Sequence, residues 1–141
     1  MAQTLTPSGS AHYIDRRAVE RWHPFLHLYF ESMEAGIAEL RSLAQQFGET
    51  SKPELLRMLH LRCHGLKGAS ETVGFKGLAS LLRRLERQLE KDLVVPGRIS
   101  AGELIKQIET IASVYRASRE MFGKPSAEEE TNASGQDPRS R

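Results

Sequence analysis

The chain has 141 residues, 39% hydrophobic and 27% charged, with 20 Lys and Arg against 18 Asp and Glu for a formal net charge of +2. That size fits one domain with its own core, and the single cysteine, Cys63, excludes an intramolecular disulfide framework and a CxxC metal or redox motif. No apolar run approaches the ~18–20 residues of a spanning helix, the N-terminus lacks the apolar centre of a secretory signal, and basic residues alternate with acids, as in RRLERQLEKD from Arg83 to Asp92, instead of forming a phosphate-tracking stripe. The expectation is a cytoplasmic protein that engages neither membrane nor nucleic acid.

In chain order, residues 1–13 are rich in Ser, Thr, Gly and Pro and read as a disordered tail. Residues 14–122 read as one helical domain. Ile14 to Trp22 predicts a short helix that Pro24 ends or redirects. From about Phe25 to Phe47, Leu26, Phe30, Met33, Ile37, Leu40, Ala44 and Phe47 recur at three- and four-residue steps, the period of one helix face. Ser51 and Glu54 match an S-x-x-E capping box with Pro53 in the first turn, which predicts a helix running to about Thr72. After Gly74, Leu78, Leu81, Leu82, Leu85 and Leu89 repeat the helical spacing as far as the Pro96-Gly97 break. A last helix opens at Ser100 and carries Leu104, Ile105, Ile108, Ile111, Ala112 and Tyr115, and the stretch 123–141 has no apolar periodicity and reads as a second disordered tail. No alternating run suggests a sheet. The predicted fold class is therefore all-α, an antiparallel four-helix bundle with a short extra N-terminal helix, in which Met33, Met58 and the spaced leucines are core.

The helix from Ser51 to Thr72 stands apart, because LHLRCHGLKGAS holds two histidines, the cysteine and two glycines. Each glycine inside a helix costs about 1 kcal/mol against alanine, and access to the helix surface is a reason to keep them. At about 100° per residue, Leu55, Leu59, Leu66, Ala69 and Val73 share one side, while His60, His64, Lys67, Gly68 and Glu71 share the opposite one. His64 is thus expected to face solvent, with Lys67 one turn on and Gly68 leaving its flank bare. An exposed imidazole can serve as nucleophile, base or metal ligand.

The run His64, Leu66, Lys67, Gly68, Ala69, Ser70 and Gly74, followed by Leu78, Leu82 and Leu85, resembles the histidine-containing phosphotransfer (HPt) family of phosphorelays, with the pattern H-x-L-K-G-[AS]-[AS]-x-x-x-G and a leucine-rich helix containing L-E, as at Leu85-Glu86 or Leu89-Glu90. The resemblance implies that His64 is the phosphorylated residue, that Lys67 helps neutralise phosphoryl charge, and that Gly68 leaves room for the partner. It implies a partner face of His60, Leu61, Gly65 and Glu71. The implied partners are receiver domains of a hybrid histidine kinase or a response regulator, engaged by a monomer. Mg²⁺ is expected in the receiver, and no cofactor or metal in this chain. The implied role is a phosphotransfer intermediate rather than an ATP-dependent kinase, consistent with the absence of a glycine-rich phosphate loop. Glu71 departs from the pattern, where a small or neutral residue is more usual: it can pair with Lys67 at i+4 or select a basic feature on a partner. Arg62, near the core stripe, is expected to snorkel to its edge.

Two rivals compete with this reading. His23 with His27, and His60 with His64, have the four-residue spacing that places two imidazoles on one helix face, as in a metal-binding bundle. Against it, His60 and His64 lie opposite the core stripe, carboxylate partners do not recur in E-x-x-H form, and Cys63 points about 100° away from His64. The other rival is a purely structural helical-bundle adaptor, which leaves His64 and Lys67 without a role.

Overall fold

The computed structural model describes residues 10–122, and in it α1 (Arg16–Arg21), a 3-10 turn (His23–Phe25), α2 (Leu26–Thr50), α3 (Pro53–Val73), α4 (Lys76–Val94) and α5 (Ala101–Phe122) follow one another, with no strand among the described residues. Of the tails expected over residues 1–13 and 123–141, residues 1–9 and 123–141 lie outside the described residues. Pro24 sits in the 3-10 turn, where its missing N–H and fixed φ redirect the chain from α1 into α2.

Cross-helix pairs fix the direction of every long helix. Tyr29 meets Ser70 and Glu39 meets Arg62, so α2 and α3 run antiparallel. His60 meets Glu90 and Glu71 meets Arg83, which reverses α4 against α3. Glu34 meets Arg119 and Arg41 meets Glu109, so α5 returns antiparallel to α2 and closes the ring. The four-helix bundle is the consequence of four one-sided stripes sharing a single axis. Met33, Leu40, Leu59, Leu82, Leu85, Leu89, Leu104 and Ile108 are fully buried along it, each such side chain contributing about 1.5–3 kcal/mol relative to exposure.

Helix ends show how the turns are held. Gly74 takes φ 111°, a left-handed conformation that ends α3, and the N–H groups of Gly74 and Phe75 both donate to the Ser70 carbonyl. Buried Asp92 accepts from the N–H groups of Arg98 and Ile99 at 2.6 and 2.8 Å, tying down the connection to α5. Ser100 Oγ accepts from Glu103 N–H and caps α5.

Three expectations are corrected. The capping box does not form: α2 continues to Thr50, and Ser51 ends it at φ 56° with its N–H bonded to Phe47, so Lys52 becomes the residue before α3 and no side chain caps that helix. With two residues between the helices, Ser51 cannot terminate one and cap the next. Met58 is 49% exposed, not core, because it lies about 100° from the centre of the buried stripe that Leu59, Cys63, Leu66 and Ser70 define. Residues 10–13, which the expected tail includes, are placed against the domain. Tyr13 carbonyl accepts from Gly77 N–H and Gly74 carbonyl accepts from Asp15 N–H, so Ser10–Tyr13 strap the start of α4. A Cβ on Gly77 would lie 2.2 Å from the Ala11 carbonyl oxygen, so the strap depends on that glycine.

Candidate functional site

The site lies where the second half of α3 crosses the middle of α4. Leu59, Cys63, Leu66 and Ser70 face inward. Ser70 Oγ shares a 2.7 Å hydrogen bond with Tyr29 Oη, and the Cys63 thiol donates to the Leu82 carbonyl at 3.0 Å, so the rotation of α3 about its axis is fixed by packing and by polar bonds on its inner face. Burial, assisted by the charge of Glu86, pushes the Cys63 thiol up to about 12, which keeps it protonated and out of the chemistry. That rotation turns His64 to solvent, with 61% of its side chain exposed, and tips His60 and Lys67 toward α4.

Glu86 is the centre of the cluster. Its side chain is only 7% exposed, with Oε2 2.6 Å from His64 Nδ1 and Oε1 3.0 Å from Lys67 Nζ. Burial raises its pKa, but the hydrogen bonds and charges of Lys67 and His64 outweigh burial and hold the carboxyl below its ordinary value. An ionised carboxylate only accepts. The proton of a neutral His64 therefore sits on Nδ1, and the Nε2 lone pair is left free on the solvent side. Lys67 Nζ keeps two further donors beyond the one given to Glu86.

The sequence-predicted residues divide clearly. His64, Lys67 and His60 are brought together, the last through Glu90, whose Oε2 lies 3.0 Å from His60 Nε2, and through Glu86 at 3.8 Å. Leu61 is 72% exposed beside His64. Among the described residues a Cβ on either Gly65 or Gly68 would meet nothing within 4 Å, so both leave the helix surface open there. Glu71 pairs with Arg83 of α4 and not with Lys67, whose ammonium is taken by Glu86. Arg62 does reach the edge, meeting Glu39 at 2.7 Å. His23 and His27 are exposed and join no group of three ligand atoms among the described residues.

Glu86, Glu90 and Arg83 were not among the predicted site residues. Glu86 had a signal: it follows Leu82 by four positions and precedes Leu89 by three, so it falls on the buried stripe of α4. A carboxylate there needs partners. Carboxylates do accompany His60, but they come from α4 rather than from its own helix, where the E-x-x-H pattern would have placed them.

These features define a helical bundle that presents one oriented imidazole, backed by a buried carboxylate and a lysine, on an open helix face. A family model described as the Hpt domain matches residues 24–116, and the chain belongs to the Hpt domain family. Domains of this family serve histidine phosphotransfer in phosphorelays and interact there with receiver domains. Searches of curated proteins and of solved structures found no match. No helix among the described residues is long and apolar enough to cross a membrane.

Proposed function

We propose that His64 is the phosphoacceptor and that the chain shuttles a phosphoryl group between receiver-domain aspartates. The observation that carries this reading is the 2.6 Å contact between His64 Nδ1 and Glu86, which leaves Nε2 unprotonated and exposed. In the transfer, the Nε2 lone pair attacks the phosphorus of an aspartyl phosphate. The N–P bond forms as the bond from phosphorus to the aspartate oxygen breaks, and the aspartate leaves as a carboxylate. Nδ1 keeps its proton, so the ring gains positive charge, which the Glu86 carboxylate balances across the short hydrogen bond. The second receiver reverses these steps, its carboxylate attacking phosphorus and returning the electron pair to Nε2.

Little else is asked of the chain, since phosphoryl transfer depends mainly on in-line placement and charge stabilisation. Lys67 supplies a cation near the incoming oxygens while anchored to Glu86. Leu61, Gly65 and Gly68 provide an apolar, unobstructed approach, with His60 and Glu71 at its margins. Mg²⁺ belongs to the receiver in this reading, and the chain acts as a monomer in the cytoplasm.

The test is label transfer from a phosphorylated receiver. The wild-type chain should gain acid-labile label with the receiver and none from ATP alone. His64→Gln, which keeps a polar side chain but removes the ring nucleophile, should gain none while retaining its helicity. Full labelling of that variant, or labelling by ATP without a partner, would overturn the assignment.

A further inference from the structure

Two carboxylates and two imidazoles face each other across α3 and α4 in a ladder, His60 opposite Glu90 and His64 opposite Glu86. The phosphoacceptor reading uses only the second rung. In the first, the donor atoms of His60, Glu86 and Glu90 all lie within 4.8 Å of one another, with His60 Nε2 at 3.0 Å from Glu90 Oε2 and 3.8 Å from Glu86 Oε2. A tetrahedral Zn²⁺ with bonds of about 2.0–2.2 Å spaces its ligand atoms about 3.3–3.6 Å apart. Glu86 is buried and His60 partly so, while Glu90, with 54% of its side chain exposed, is free to rotate and close the remaining gap. One imidazole nitrogen with two carboxylate oxygens is a donor set of borderline hardness, suited to zinc rather than to Mg²⁺.

We propose that His60, Glu86 and Glu90 form a Zn²⁺ site whose occupancy slows phosphoryl acceptance at His64. Binding uses the Nε2 lone pair of His60, so its ring proton moves to Nδ1 or, from the protonated form, one proton is released to solvent. One oxygen of each carboxylate and water complete the coordination. The inhibitory half rests on the reading of His64 as phosphoacceptor. The Glu86 oxygen that the metal takes, Oε2, is the one that accepts from His64 Nδ1. Once bound to a dication, that oxygen is a weaker acceptor and the carboxylate no longer balances the charge that develops on the ring during attack.

The site and its effect are tested separately. Calorimetric titration of the full chain with ZnCl₂ at neutral pH should show one ion per chain, and Glu90→Gln and His60→Gln should each weaken binding at least tenfold. Absence of one-to-one binding, or affinity unchanged in both variants, as expected if His12, His23 or His27 held the ion, overturns the site. Receiver-dependent labelling is then measured with and without Zn²⁺. Wild type should slow at least tenfold and recover with EDTA. Glu90→Gln should match metal-free wild type within about twofold and keep that rate at the same Zn²⁺ concentration, which controls for zinc acting on the receiver. Equal slowing of both chains, or none in wild type with Zn²⁺ bound, overturns the inhibitory half. Failure of labelling without metal overturns the phosphoacceptor reading, while the calorimetry still decides the site.

Discussion

Replacing Glu86 by Gln tests the orientation of His64 most directly. The amide keeps the size of the side chain and an oxygen that can accept from Nδ1–H, but it removes the negative charge that faces the ring at 2.6 Å. A hydrogen bond to a charged group contributes about 1.5–3 kcal/mol, against about 0.5–1.5 kcal/mol for a neutral one. The difference between the two, about 1–1.5 kcal/mol, is lost as the ring becomes cationic, so acceptance slows about 5- to 13-fold. Lys67, 18% exposed, also loses its anion, yet its long side chain reaches water at the helix edge, so stability should fall by only about 1 kcal/mol. Rapid-quench labelling at saturating receiver measures the chemical step free of docking, and ¹⁵N spectra of the ring report which nitrogen is protonated. Wild type should show the Nδ1–H tautomer and Glu86→Gln a mixture. A variant that transfers within twofold of wild type, with its fold intact, would refute the claim that Glu86 sets the nucleophile.

Acid should expose the same carboxylate thermodynamically. Because the folded pKa of Glu86 lies below its unfolded value, its stabilisation is complete above the ordinary carboxylate range near pH 4.5 and is lost as pH falls through the folded value; the stability gap between wild type and Glu86→Gln in urea should narrow from pH 5 to pH 3, and a widening gap would contradict the pairing. Gly77→Ala should displace the Ser10–Tyr13 strap, since the added Cβ meets Ala11 and Ser10 backbone at 2.2–2.3 Å. A destabilisation of about 1–3 kcal/mol by thermal melting is expected, with phosphoryl acceptance unchanged. A wild-type melting temperature would mean that the strap adds nothing.

Helices were readable wherever apolar residues kept one period over several turns, as from Leu26 to Phe47 and from Leu78 to Leu89. Their packing partners were also legible in outline, because short connections leave antiparallel neighbours as the economical arrangement. What resisted reading was whatever depends on two helices at once. Within RRLERQLEKD, Glu86 and Glu90 look alike, as two charges among seven on a charged helix. The leucine stripe marks the first as buried, but only the register of α4 against α3 sets it between His64 and Lys67 and the second beside His60. The same register pairs Arg83 with Glu71, a partner that neither of the two roles weighed for that glutamate includes. Ser51 misled for a local reason: the capping box describes a side chain free to fold back, and the extension of α2 had already committed that residue to a left-handed turn.

Gly65 and Gly68 carry a consequence for anyone who would make this protein more robust. Nothing else among the described residues approaches within 4 Å of where their side chains would be, so alanine at both would fit the bundle and gain roughly 1 kcal/mol per position from helix propensity. A stabilisation campaign scored on melting temperature would choose these two sites early. It would also place methyl groups on the surface around the exposed imidazole, where the proposed receiver must come closest. Thermal robustness and reach of the nucleophile thus have opposed optima on one turn of α3, and selection for the first alone would erode the second.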